Sequence, residues 1–173
     1  FDAAGIDYML LKGSRLKLLY PEHEFRAMGD ADVLIRMEQY SKIRPLMRTL
    51  GYREEMESDH ELVWSNKWLH LELHKRLVPV GSVDCYGCDG EGWNKAAAFE
   101  GHSFIMGAED EYIYVFIHLV KHYRGSGVGL RQMLDLWVYQ QHYAQMNTAY
   151  IRAELEKLDL LEFYDHVMRV INC

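Results

Sequence analysis

Gly29-Asp30-Ala31-Asp32-Val33-Leu34-Ile35 is the stretch on which the fold turns. Residues 30–35 have the length of a strand, and strand side chains alternate between two faces. Ala31, Val33 and Ile35 therefore share one face, and Asp30 and Asp32 share the other. Upstream, Tyr8-Met9-Leu10-Leu11 is an apolar run of buried-strand length that stops at Gly13-Ser14. Ser14 is expected to N-cap a short helix carrying Leu16, Leu18 and Leu19, which Pro21 ends. Downstream, residues 38–50 read as a helix closed by Gly51. Residues 52–56, 61–65 and 68–77 read as an antiparallel meander. Its last strand alternates strictly, with Leu69, Leu71 and Leu73 against His70, Glu72 and His74.

Residues 81–92 hold four glycines and read as a loop. Beyond it the pattern becomes helical. Residues 109–124 begin acidic and end basic, as a helix dipole prefers. Gly125-Ser126-Gly127-Val128-Gly129 breaks that helix and residues 130–143 resume one. Asn147 or Thr148 is expected to cap a third helix, and Asp159 with Glu162 forms a capping-box pattern for a fourth. The expected architecture is an α+β head over residues 1–107, with a helical region over 108–173 packed on it.

Composition narrows the function classes. A chain of 173 residues, 49% hydrophobic and 26% charged, is long enough for one domain or one domain with an appendage. At this size roughly 70% of the unfolded surface is buried, so disulfides are not needed. Three cysteines, two of them at Cys85-x-x-Cys88, make no disulfide framework, which fits a reducing cytoplasm. A net charge of −7 argues against long nucleic acids as partners. The longest apolar stretch, 112–120, falls far short of the ~20 residues that span a bilayer. No signal-peptide pattern opens the chain, and a start at Phe1 rather than Met is compatible with a piece of a longer protein.

Asp30 and Asp32 lie ~7 Å apart at their backbones and repel each other when both are ionised. A shared divalent cation removes that repulsion, and hard cations choose carboxylate oxygens. Taken alone the pair also fits a solvated strand edge. Glu72 tips the reading, because it is a third acid on a strand whose other face is leucine. Three acids from two strands meet the needs of a two-metal phosphoryl-transfer site. Gly13-Ser14 follows a buried strand and opens a helix, where free N–H groups can cradle a phosphate. Lys12, Arg15 and Arg26 are nearby cations able to neutralise a triphosphate.

The stretch Leu10-Leu11-Lys12-Gly13-Ser14, then Tyr20-Pro21, Arg26, Gly29-Asp30-Ala31-Asp32-Val33-Leu34-Ile35 and Gly51-Tyr52, resembles the uncharacterised bacterial nucleotidyltransferase family of the polymerase-β-like superfamily. In that superfamily an apolar-Gly-Ser turn precedes a strand bearing Asp-x-Asp, and a later strand supplies a third carboxylate, here within Leu71-Glu72-Leu73-His74. His118, His122, Arg131 and Asp135 match the family's helical positions. Fifteen residues separate Ser14 from Asp30, and the third acid is Glu where Asp is commoner.

The resemblance implies a polymerase-β-like head, a mixed or antiparallel sheet with flanking helices, plus a C-terminal helical bundle. It implies transfer of a nucleoside monophosphate from an NTP such as ATP to an acceptor hydroxyl on a small molecule or protein. Asp30, Asp32 and Glu72 would hold Mg²⁺ or Mn²⁺, with Glu72 also helping to deprotonate the acceptor. Gly13 and Ser14 would hold the β- and γ-phosphates, with Lys12, Arg26 and His74 completing the nucleotide site. Two alternatives stay open: an idle or antitoxin-like binding module of the same fold, and a Mg²⁺-dependent phosphohydrolase.

Other motifs are weaker. His118 and His122 are spaced i, i+4 as in some zinc sites, but Leu119 stands where the metalloprotease pattern has Glu. Cys85-x-x-Cys88 lacks a second Cys pair and is expected to be metal-free. Gly125-x-Gly-x-Gly follows a helix instead of a strand, so it lacks the dinucleotide-binding context. Tyr112, Tyr114 and Phe116 read as core.

Overall fold

The computed structural model describes residues 1–78, 92–125 and 127–173. Two compact units divide the chain, Phe1–Met106 and Gly107–Cys173. The first is built on a mixed seven-stranded sheet ordered β3-β4-β5-β2-β1-β7-β6. Its strands are β1 (Tyr8–Leu10), β2 (Ala31–Ile35), β3 (Arg53–Glu57), β4 (Glu61–Ser65), β5 (His70–His74), β6 (Ala96–Glu100) and β7 (Ser103–Met106). The expected meander is present as antiparallel β3-β4-β5, while β2 runs parallel to β5 and antiparallel to β1.

Alternation along β2 separates its faces as the residue types require. Val33 and Ile35 join Leu71 and Leu73 of β5, Leu62 and Trp64 of β4, and Ile43 and Met47 of α2 (Tyr40–Thr49) in one buried cluster. Helix α2 stops in a Schellman arrangement: Gly51 takes φ 78, its N–H donates to Arg48, and the Tyr52 N–H donates to Met47. The outer strand β3 is exposed and carries Arg53, Glu54, Glu55 and Glu57, charges that discourage edge pairing.

Ser14 does not cap the helix that follows β1. Helix α1 (Lys12–Leu16) has Leu11 at its N-cap, and the Ser14 hydroxyl accepts the Asp32 N–H at 2.9 Å instead. A 3₁₀ turn, Lys17–Leu19, carries the chain on from α1. The β6-β7 hairpin answers no sequence pattern noted above, and β7 joins the sheet by pairing parallel to β1.

The second unit comprises α3 (Ala108–Arg124), α4 (Leu130–His142), α5 (Thr148–Lys157) and α6 (Leu161–Ile171). Tyr112, Tyr114 and Phe116 are buried. Asn147 caps α5 by accepting the Tyr150 N–H at 3.0 Å. Asp159 is not the N-cap of α6. It follows α5 with φ 55, and Leu160 takes the cap position. Among the described residues no helix is long and apolar enough to cross a membrane.

Candidate active site

Asp32 and Glu72 are direct register partners on the parallel strands β2 and β5, so their side chains share a face. His74, two residues beyond Glu72, lies on that face too. Asp32, Glu72 and His74 present ligand atoms all within 4.8 Å of one another. The Asp32 Oδ1 accepts from the Lys12 ammonium at 2.5 Å and bonds the His74 Nε2 at 2.8 Å. The same Nε2 lies 3.6 Å from the Glu72 Oε2.

Lys12 reaches Asp32 from a strained backbone. Its φ of 45 is in the left-handed region, which a lysine adopts only when its surroundings hold it there. The Leu11 N–H donates to the Asp32 carbonyl at 3.0 Å, and Ser14 accepts from the Asp32 N–H. The turn is thereby tied to the strand that bears the carboxylate. Gly13 is buried beneath Arg26, where an added Cβ would meet the guanidinium Nη2 at 3.2 Å. Arg26 is itself buried and donates to the Ala27 carbonyl at 2.7 Å.

The electrostatics follow from this packing. Burial pushes the Asp32 carboxyl up, but the His74 hydrogen bond and the Lys12 ammonium outweigh it and hold the group well below the usual carboxylate range. The His74 hydrogen bond lowers the Glu72 carboxyl against the opposing effect of burial. Burial pulls the His74 imidazole down, and its bonds to Asp32 and Glu72 more than reverse this, raising it.

The donor set fits a divalent cation. Two ionised carboxylates face each other across adjacent strands and supply the oxygen donors such a cation takes, with the Lys12 ammonium on one Asp32 oxygen. Asp30 stands apart: it precedes β2, is exposed, and joins no such ligand group among the described residues. Cys85 and Cys88 lie outside the described residues. His118 and His122 touch each other, with their Nε2 atoms 2.9 Å apart, within the helical unit.

Alternation along β5 put His74 beside Glu72 in the sequence, but its bond to Asp32 needs the parallel β2-β5 register. Lys12 read as a phosphate cation, and its pairing with Asp32 depends on a backbone conformation that no motif announces. His60 and Glu61 went unremarked because they sit where a turn enters β4.

The whole chain, residues 1–173, matches the family model described as uncharacterised nucleotidyltransferase. The chain belongs to that family. Among curated protein sequences none matches it. Two solved structures share the fold of this nucleotidyltransferase. The solution structure of the antibiotic-resistance factor ANT(2'')-Ia is similar with a TM-score of 0.61 at 13% identity, covering 95% of this chain and 90% of that one. The crystal structure of ANT(2'')-Ia with adenylyl-2''-tobramycin gives a TM-score of 0.63 at 11% identity, covering 91% and 90%.

Proposed function

We propose that this nucleotidyltransferase moves a nucleoside monophosphate from an NTP to an acceptor hydroxyl, with a divalent cation held by Asp32 and Glu72. The observation that carries the reading is the register pairing of these two acids beside a Lys12-Gly13-Ser14 turn that is hydrogen-bonded to Asp32. The Asp-x-Asp pattern of the family, and not the ligand group around Asp32, makes exposed Asp30 the further carboxylate for the same cation. When bound, Mg²⁺ or Mn²⁺ neutralises the phosphate oxygens and favours pyrophosphate as leaving group.

The remaining work falls to the chain. Lys12 and Arg26 are the cations at the turn and balance triphosphate charge. Gly13 and Ser14 supply the turn on which the β- and γ-phosphates rest. His74 orients the Asp32 carboxylate through its 2.8 Å bond. Glu72, kept ionised, takes the proton of the acceptor hydroxyl as its oxygen attacks the α-phosphorus and the α–β bridging bond breaks. Net charge −7 favours a cationic small acceptor such as an amino-sugar. A protein of similar fold was solved in complex with adenylyl-2''-tobramycin.

The test supplies NTP labelled at the α-phosphate with Mg²⁺ and a panel of hydroxyl-bearing acceptors, amino-sugars among them. Labelled product with stoichiometric pyrophosphate supports the reading. Release of inorganic phosphate alone points to hydrolysis and overturns it.

A further inference from the structure

A second group of ligating side chains meets His74 from its other side. Glu61 pairs directly with His74 across the antiparallel β4-β5 ladder, and His60 precedes it in the turn entering β4. That turn is firmly held. The Ser58 N–H donates to the Glu61 carbonyl at 2.9 Å, and the Ser58 hydroxyl accepts from the N–H groups of His60 and Glu61 at 3.2 and 3.0 Å. The Lys75 N–H donates to the His60 carbonyl at 2.8 Å, fixing the turn to the end of β5. The His60 and His74 rings meet edge to face with centroids 5.0 Å apart.

Glu61 Oε2 lies 3.4 Å from the His60 Nδ1 and 3.8 Å from the His74 Nδ1. All three residues offer ligand atoms within 4.8 Å of one another. His74 is 1% exposed, and its Nδ1 is buried with no hydrogen-bond partner among the described residues. Such an orphan is costly, so a structure retains it where something else satisfies it. Bonds of ~2.0–2.2 Å to a tetrahedral ion place neighbouring ligand atoms about 3.3–3.6 Å apart. The separations found here need only small side-chain shifts to reach that.

We propose that His60, Glu61 and His74 bind a zinc ion, separate from the cation on Asp32 and Glu72 and joined to it through the His74 ring. Two imidazoles and one carboxylate select a borderline transition metal over Mg²⁺, which prefers an all-oxygen shell. Water completes the tetrahedron. With Nδ1 on zinc, the ring proton resides on Nε2, where it is donated to the Asp32 Oδ1 at 2.8 Å. Zinc thereby fixes the orientation of the carboxylate that the proposed reaction uses.

The experiment titrates the metal-stripped 173-residue chain with Zn²⁺ against a chromophoric chelator, and with Co²⁺ as an absorbing substitute. The expected result is one equivalent of tight Zn²⁺ and a tetrahedral Co²⁺ spectrum. His60→Gln and Glu61→Gln should each weaken binding at least about tenfold, while a Cys85→Ser/Cys88→Ser double variant should bind as the parent does. Failure of the parent to take up Zn²⁺, unchanged affinity in a folded His60→Gln or Glu61→Gln, or loss of binding in the Cys variant would each overturn the site. Imidazole ¹⁵N spectra of the parent need no variant. A Zn²⁺-dependent shift at the His74 Nδ1 with Nε2 still protonated supports the proposal, and no change at Nδ1 rejects it.

Discussion

Replacing Lys12 with Met keeps most of the side chain's length and removes its ammonium from Asp32. The Nζ lies 2.5 Å from the Asp32 Oδ1, and the two side chains are only 15% and 8% exposed, so water screens the pair weakly. Removing one partner of a buried ion pair costs about 3–5 kcal/mol. His74 still bonds the same oxygen at 2.8 Å, which trims the expected loss to roughly 2 kcal/mol. That lowers the melting temperature by about 4–8 °C if the whole chain melts as one body, or about 8–16 °C if residues 1–106 melt alone. The pH dependence carries a definite sign. A carboxyl lowered in the folded state contributes stability that is present above its unfolded pKa, near 3.9, and is lost as pH falls toward the folded value. Lys12 supplies part of that lowering and the unfolded carboxyl is common to both proteins, so the gap between parent and Lys12→Met is full while Asp32 is ionised in both folded states and closes as acid protonates it in the variant. Thermal unfolding followed by circular dichroism at pH 7, 5 and 3 measures it. A variant melting within about 1 °C of the parent at pH 7, or a gap that widens as pH falls, would refute the reasoning.

Three further substitutions test the scaffold. Gly101→Ala places a Cβ 2.5 Å from the Asp2 Oδ1 at a residue with φ 57, and should cost about 1–3 kcal/mol in urea unfolding. Tyr139→Phe removes a hydroxyl that donates to the buried Glu111 at 2.9 Å, and should lower the stability of the helical unit by about 1–3 kcal/mol. Asn147→Ala deletes the acceptor for the Tyr150 N–H and should cost about 1 kcal/mol, read as faster amide exchange in the first turn of α5.

Much of the sheet was legible because its strands bury one face. Ala31 and Val33 flank Asp32, Leu71 and Leu73 flank Glu72, and that period of two assigned both the strands and the face each acid takes. The β6-β7 hairpin escaped because Ala96-Ala97-Ala98 favours helix and β6 is mostly exposed, so it lacks an alternating apolar signal. Pairing of β7 with β1 is a tertiary effect that overrides local propensity. Ser14 and Asp159 misled for a related reason. Both residue types favour caps, but here one hydroxyl binds the neighbouring strand and one aspartate takes a left-handed turn. In the site, residue types were readable and contacts were not. Lys12, Asp32 and His74 come from three separate elements, and only the assembled sheet brings them to one oxygen.

The account rests on a metal–nucleotide site at Asp32 and Glu72, and stabilisation by nucleotide tests it without knowledge of the acceptor. Melting temperatures are measured for the parent, Asp32→Asn and Glu72→Gln, each with NTP alone and with Mg²⁺-NTP. At one hundred times Kd, a ligand that binds only the folded state adds about 2.7 kcal/mol. The parent should gain a shift of that order with Mg²⁺-NTP and much less with NTP alone, and neither folded variant should gain it. A full Mg²⁺-NTP shift retained in both Asp32→Asn and Glu72→Gln would contradict the account and place the nucleotide elsewhere.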